Sequence, residues 1–142
     1  MVYDKIPVQR CWAHKIRNVL NKVRKTDEKA VKADPHAVMN ASTAMKARSA
    51  ARRFAARWGK AYPPAVACLR DDLDELLTCF RYKTLAERKA VRTTNAVERR
   101  FREVRRRTRS MGVFQDRTSM DRILFAVFSH ENKCRESRPF SP

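Results

Sequence analysis

Apolar residues recur at intervals of three and four along most of this 142-residue chain, and this spacing is the strongest constraint on its fold. The clearest case follows Pro63, where Leu69, Leu73 and Leu76 share one helical face in a helix expected to run to Phe80. Apolar spacing and residues typical of helix ends predict five more helices, over 14–24, 34–39, 43–59, from Asn95 onward, and over 118–132. In the helix 34–39, Asp34 is the expected N-cap and Pro35 the first residue, and the helix 43–59 has a Thr43 cap and stops at Gly59. In the helix from Asn95, Val97, Phe101 and Val104 are expected to face inward. The sequence therefore predicts a mainly α-helical fold.

One segment departs from this pattern. Pro7 to Cys11 is short and contains a β-branched residue, so it is predicted to be a strand. A lone strand has no neighbour to accept its backbone hydrogen bonds. Either the segment is not a strand, or its sheet lies on residues outside this chain.

The charge balance favours a polyanionic partner. The chain carries 33 Lys and Arg against 15 Asp and Glu, a formal net charge of +18. Self-repulsion of this size favours nucleic acid as the partner. No apolar run reaches the roughly 20 residues needed to span a bilayer, and no signal peptide is visible. We therefore expect no membrane association, a cytoplasmic location and reduced cysteines.

The segment VRTTNAVERRFREVRRRTRSMGVF, residues 91–114, places Glu98 before seven arginines within residues 99–109. Asn95 and Glu98 have the spacing of a capping box. Alternatively, Glu98 is a metal-binding carboxylate, since the guanidiniums on its face favour the ionised form. Arginine forks match phosphate oxygens two bonds at a time, so the helix is predicted to contact DNA. The assigned DNA-binding residues are Arg99, Arg102, Arg105, Arg106, Arg107 and Arg109.

Cys11 and His14 form a Cys-x2-His pair that has the reach to bind zinc. A structural zinc site needs four ligands, and the other candidates, His130 and Cys134, lie far along the chain. A buried thiol followed by a histidine at a helix start is the simpler interpretation. We therefore expect no zinc.

The acidic run RDDLDEL, residues 70–76, contains four carboxylates. Adjacent positions such as Asp71 and Asp72 point to different faces of a helix, which disfavours a catalytic pair. The run is interpreted as a solvated counter-charge to the basic chain.

Three segments together resemble the C-terminal half of the mutator-type transposases of bacterial insertion sequences. They are VQRCWAHKIRNVL, FAARWGKAYPPAV and VRTTNAVERRFREVRRRTRSMGVF, in the family's order and at about its spacing. By this resemblance Cys11 and His14 match the family's Cys/Asp-x2-His motif. Trp58, Tyr62 and Pro63 match its W…YP element, and Glu98 matches the last of its three catalytic acids.

The resemblance implies a ribonuclease-H-like α/β catalytic core with an all-helical insertion, here with most of the sheet missing. Residues 1–20 would hold the last core strand and the Cys-x2-His motif, 21–90 the insertion, 91–132 the C-terminal core helices, and 133–142 a flexible tail. The family's two aspartates precede the Cys-x2-His motif and are absent from this chain.

The implied activity is cutting and joining of DNA ends, with Mg²⁺ or Mn²⁺ bound partly by Glu98 and a homo-oligomer acting on transposon ends and target. With one of three acids present, we expect a truncated chain that is inactive alone. The alternative is a non-catalytic, basic, helical DNA-binding protein in which the arginines contact DNA and Glu98 caps the helix.

Overall fold

Helices dominate the structure, a computed structural model that describes residues 7–112 and 116–136. The chain divides into two compact units, Met1–Thr94 and Asn95–Pro142. The first contains α1 (Trp12–Leu20), α2 (Glu28–Met39), α3 (Ala44–Trp58), α4 (Pro63–Asp71), α5 (Leu73–Leu76), a 3₁₀ turn (Thr78–Arg81) and α6 (Leu85–Val91). The second contains α7 (Asn95–Thr108), a 3₁₀ turn (Arg109–Met111) and α8 (Arg117–Glu136). The mainly α-helical prediction is confirmed.

The first unit has a single apolar core. In it α2 packs against α3, and α1 packs against both α4 and α2. Its fully buried large side chains include Trp12, Val38, Phe54 and Leu69. Burial of each such side chain contributes about 1.5–3 kcal/mol. The apolar residues that recur at intervals of three and four in the sequence therefore form the inward faces of α1 to α4.

The predicted strand at Pro7–Cys11 is wrong, because residues 7–112 and 116–136 contain no strand. The Gln9 side-chain amide donates to the Leu76 carbonyl at 3.1 Å and accepts from the Cys79 N–H at 2.5 Å. These backbone groups lie where short helical segments end and lack helical partners. The segment therefore packs against helix ends and needs no neighbouring strand.

The second helix begins earlier than predicted. α2 starts at Glu28, so Asp34 and Pro35 lie inside it instead of at its N-cap and first position. Pro35 has no N–H to bond the carbonyl four residues back. Its ring is fully buried, and this packing offsets the lost hydrogen bond. The Asp34 carboxylate accepts a hydrogen bond from the Trp58 indole at 2.7 Å, which joins α2 to α3.

The ends of α3 agree with the sequence prediction. The Thr43 side chain accepts a hydrogen bond from the Lys46 N–H at 3.2 Å, and Gly59 follows the last helical residue. Ala47, Ala50 and Phe54 form its buried face. Ala51 and Trp58 are partly buried and pack against the same core.

The W…YP element fastens the end of α3 to α2. The Tyr62 hydroxyl donates to the Asp27 carboxylate, and Arg24 Nε donates to the same hydroxyl at 3.0 Å. The hydrogen bond from Tyr62 is the main reason that the pKa of Asp27 lies below its ordinary value. Tyr62 therefore contacts the N-cap of α2 through Asp27, and Trp58 contacts the middle of the same helix through Asp34.

The continuous helix predicted from 63 to 80 is wrong, because the chain breaks after α4. Lys15 is only 7% exposed; its ammonium donates to the Cys68 carbonyl at 2.9 Å and pairs with the Asp72 carboxylate. In an unbroken helix that carbonyl would accept the Asp72 N–H, which here bonds to Arg70. A buried ammonium needs a charged partner, so Lys15 stabilises the break.

The second unit is a helix pair with little buried surface. α7 packs against α8, and Val104 and Val127 are buried. Val97 and Phe101 were predicted to face inward, yet they are 54% and 57% exposed. Two helices bury too small an area to cover the whole apolar face of α7.

α8 extends further than predicted. It runs to Glu136, so the first residues of the predicted tail (133–136) are helical, and 137–142 lie outside the described residues. Among the helices that the structure describes, none is long and apolar enough to cross a membrane.

Candidate nucleic-acid interface

Glu98 lies in the first turn of α7 with an exposed side chain. The helix begins at Asn95, so Asn95 is its first residue and not the N-cap that a capping box with Glu98 requires. A complete capping box is found instead at the start of α6, between Thr84 and Glu87. The N–H groups of the first turn favour a negative charge at the position of Glu98.

Four of the predicted DNA-binding arginines are exposed and make no ion pair with any residue that the structure describes. They are Arg99, Arg102, Arg105 and Arg109. Arg102 and Arg105 follow Glu98 at intervals of four and three residues, which places them along one face of α7, and Arg109 begins the 3₁₀ turn after the helix. This face presents guanidinium forks to solvent, the geometry that suits phosphate oxygens.

The other arginines of this segment are engaged within the second unit. Arg106 donates to the Glu103 carboxylate at 3.0 and 2.8 Å, and this hydrogen bonding lowers the pKa of Glu103. Arg107 is half-buried and reaches Glu131 at 3.4 Å. Glu103 therefore neutralises part of the arginine segment, and Arg106 and Arg107 are less available to an external phosphate than Arg105.

The Cys-x2-His motif lies in the first unit, where Cys11 precedes α1. Thr94 donates two hydrogen bonds to the Cys11 sulfur, from its N–H at 3.3 Å and from its hydroxyl at 3.4 Å. The Trp12 N–H donates to the Arg92 carbonyl at 2.9 Å. Two motifs identified in the sequence, Cys-x2-His and RTTN, therefore meet although they are 83 residues apart.

These contacts change the ionisation of Cys11. Partial burial disfavours the thiolate and is the largest single influence. Hydrogen bonds from the Thr94 side chain, the His14 backbone, the Thr94 backbone and the His14 side chain together outweigh it, and lower the pKa of Cys11 from 9.0 to about 7. Burial instead raises the pKa of Cys79. Near neutral pH a substantial part of Cys11 is therefore a thiolate that accepts hydrogen bonds.

The residues present do not by themselves fit the Mg²⁺ or Mn²⁺ centre that the family resemblance implies. Within the described part of the chain, no three His, Cys, Asp or Glu side chains lie close enough to share a metal ion. Glu98 offers one carboxylate, whereas a hard divalent cation needs several oxygen ligands. No chemical step through a metal can be built from these residues.

The acidic run of residues 70–76 supplies counter-charges, as predicted, but to specific partners. Asp72 pairs with Lys15, and Glu75 accepts from Arg10 Nε at 2.5 Å. Asp74 pairs with Arg48 at 2.8 Å.

Two residues with clear structural roles were missed by the sequence interpretation. Thr94 stands inside the RTTN motif, so its motif membership was the available signal. Nothing in the sequence indicated the role of Lys15, because a lysine within an amphipathic helix is ordinarily expected to be exposed.

Comparison with known proteins gives one consistent family. The profile described as Transposase, Mutator family, matches residues 1–136. The transposase for insertion sequence element IS6120 of Mycolicibacterium smegmatis is 40% identical over 109 residues, 76% of this chain and 33% of that protein. The transposase for IST2 of Acidithiobacillus ferrooxidans is 37% identical over 106 residues, 75% of this chain and 36% of that protein. The chain spans about a third of the length of these relatives.

Proposed function

Because this chain belongs to the Mutator family of transposases, we propose that it takes part in DNA transposition by binding DNA through α7 and presenting Glu98 beside the bound strand. The observation that carries the proposal is the row of exposed arginines that follows Glu98 on one face of the helix. A carboxylate flanked by unpaired guanidiniums can approach a phosphodiester without charge repulsion, because the arginines neutralise the phosphates.

The chemistry we propose is that of the intact family: metal-dependent transfer of phosphodiester bonds at DNA ends, in a homo-oligomer on cytoplasmic DNA. Glu98 is the candidate for one of three acids in a ribonuclease-H-like core. Among the described residues, no three His, Cys, Asp or Glu side chains are placed to share a metal ion. We therefore propose that this chain alone binds DNA without cleaving it.

The DNA contact is tested by a pair of neighbouring arginines. Arg105→Gln is expected to weaken binding to duplex DNA and to reduce the slope of log affinity against log salt by about 0.9, the effect of one lost phosphate contact. Arg106→Gln is the matched control, since it removes the same charge from a guanidinium that already pairs with Glu103. Equal slopes for Arg105→Gln and the unaltered chain would contradict the contact.

The role of Glu98 is tested in a chimaera in which this chain replaces the matching segment of the Mycolicibacterium smegmatis transposase. Glu98→Gln is expected to abolish strand cleavage at transposon ends and to leave DNA affinity almost unchanged. Glu103→Gln controls for loss of a carboxylate from the same helix and should retain cleavage. A Glu98→Gln chimaera that still cleaves would remove Glu98 from the catalytic set.

The second candidate, a non-catalytic DNA-binding protein, is favoured by the lack of a metal-binding cluster among the described residues. The purified chain mixed with supercoiled plasmid and Mg²⁺ or Mn²⁺ should produce no nicks in either reading. The chimaera distinguishes the transposase from the non-catalytic DNA-binding protein, because the chimaeric transposase cleaves DNA only if this chain can act as a transposase segment. Nicking by the isolated chain, lost in Glu98→Gln, would overturn the claim that it is inactive alone.

A further inference from the structure

Helix α3, in the first unit, carries charge of one sign only. Its 15 residues include five basic side chains and no acidic one. The basic residues are Lys46, Arg48, Arg52, Arg53 and Arg57. The buried face is formed by Ala47, Ala50 and Phe54, so all five basic side chains project from the remaining surface.

Four of the basic residues form two rows with different surroundings, and the fifth, Arg57, pairs with Asp34 at 3.5 Å. In one row, Arg48 is held by Asp74 at 2.8 Å, and Arg48 and Arg52 border an apolar groove between α3 and α4. In the other row stand Lys46 and Arg53, which have no carboxylate within ion-pair distance in the part of the chain that is described. Arg53 donates only to the Ser49 hydroxyl, at 3.1 Å.

The Lys46–Arg53 row lines a shallow groove of about 320 Å³ between α2 and α3. Ala37, Ala41 and Ala50 form the apolar part of the groove, and Ser49 adds a hydroxyl. Small side chains allow an elongated ligand to come close to the helix backbones. Large apolar side chains, which anchor protein partners, do not line this groove.

The two basic residues of this row lie on the same side of α3. Lys46 and Arg53 are seven residues apart, which is two helical turns and about 10 Å along the helix axis. Duplex DNA carries about one negative charge per 1.7 Å of its axis with both strands counted, so two exposed cations at this separation can both face phosphates. The exposed Lys60, beyond the helix end, adds another basic group to this unit.

We propose that the Lys46–Arg53 row is a second DNA-binding surface, in a different compact unit from α7, that contacts the sugar–phosphate backbone of duplex DNA. The choice of DNA as the occupant rests on the proposed function; the charge, spacing and groove are independent of it. The surface has no base-reading geometry, so it increases affinity without selecting sequence.

The proposal is tested by Lys46→Gln combined with Arg53→Gln in the full chain, bound to a 30-base-pair duplex of arbitrary sequence. The expected result is a salt slope smaller by about 1.8, the loss of two phosphate contacts. The control is Arg48→Gln combined with Arg57→Gln, which removes the same charge from two guanidiniums of α3 that already pair with Asp74 and Asp34 and should leave the slope nearly unchanged. An unaltered slope for the first variant, or equal losses for both, overturns the proposal.

A second measurement uses the unaltered protein, so it does not depend on the folding of a variant. Saturating duplex DNA should protect Lys46 and Lys60 from acetylation, measured by peptide mass spectrometry, and leave Lys22 in the α1–α2 loop reactive. If Lys46 is acetylated at the same rate with and without DNA, the proposed DNA-binding surface is rejected. It is also rejected if an acidic protein protects Lys46 better than duplex DNA does.

Failure of this proposal and failure of the proposed function are distinguishable. Arg105→Gln reports on α7 alone, and the chimaera reports on Glu98. If the α3 variant binds as the unaltered chain does while Arg105→Gln loses its contact, only the α3 surface is rejected.

Discussion

Hydrogen bonds to one sulfur atom set the ionisation of Cys11 and join two motifs of the first unit. Both donor groups of Thr94, its N–H and its hydroxyl, point at the Cys11 sulfur. Because the folded pKa is about 7 and the ordinary value is 9.0, ionisation of Cys11 stabilises the fold. This stabilisation is fully present above about pH 9 and is lost as pH falls through about 7.

The first prediction concerns alkylation of Cys11. Its rate of reaction with iodoacetamide should rise with a midpoint near pH 7, because the thiolate is the reactive form. Thr94→Val removes the hydroxyl donor and should move the midpoint upward. Site-resolved mass spectrometry measures the rate, and buried Cys79, whose pKa is raised, serves as an internal control. An identical midpoint in Thr94→Val would show that the Thr94 hydroxyl does not stabilise the thiolate.

At the scale of elements, the break between α4 and α5 is stabilised by the ion pair of the buried Lys15 with Asp72, which Arg10 also approaches at 3.4 Å. Asp72→Ala leaves the Lys15 ammonium buried without its carboxylate, so the free energy of unfolding should fall by about 3 kcal/mol. Asp71→Ala, at an exposed neighbouring position, should change it by less than about 0.5 kcal/mol. Urea unfolding followed by circular dichroism measures both.

A double variant tests whether the unpaired charge of Lys15 causes the loss of stability in Asp72→Ala. Adding Lys15→Met to Asp72→Ala should recover part of the lost stability, because the unpaired charge is then removed. If the double variant is no more stable than Asp72→Ala, the loss comes from helix geometry and not from the buried charge.

The sequence predicted which segments are helical better than it predicted where they end. Local signals located the starts at Thr43 and Asn95, because caps and helical spacing are properties of neighbouring residues. The break at Asp72 and the interior position of Pro35 were missed because each depends on a residue or core far away in sequence.

The candidate site shows the same limit. The row containing Arg102 and Arg105 follows from residue spacing. The engagement of Arg106 by Glu103 needed the structure, because an i, i+3 pair competes with several equivalent arginines. The strand at Pro7–Cys11 was predicted from composition alone, which cannot distinguish an extended segment packed on helix ends from a paired strand.

For the molecule as a whole, basic charge is distributed over both units. The sequence of Met1–Thr94 contains 21 Lys and Arg against 9 Asp and Glu, and that of Asn95–Pro142 contains 12 against 6. Net charges of +12 and +6 follow. Each unit therefore attracts polyanions by itself, and DNA affinity need not be confined to the arginine helix.

The contacts that close the first unit also determine when it can fold during synthesis. α2 and α3 are neighbours in sequence and can pack as soon as both are made, whereas Cys11 must wait for Thr94, 83 residues later. At typical elongation rates of about 5–20 residues per second, that delay is roughly 4–16 s. The apolar face of α1, including Trp12, packs against α2 and α4, so it stays uncovered only until α4 and Leu76 have been made. Ribosomal pausing before Leu76 would prolong its exposure to chaperones and proteases, whereas pausing before Thr94 would delay only the contact with Cys11.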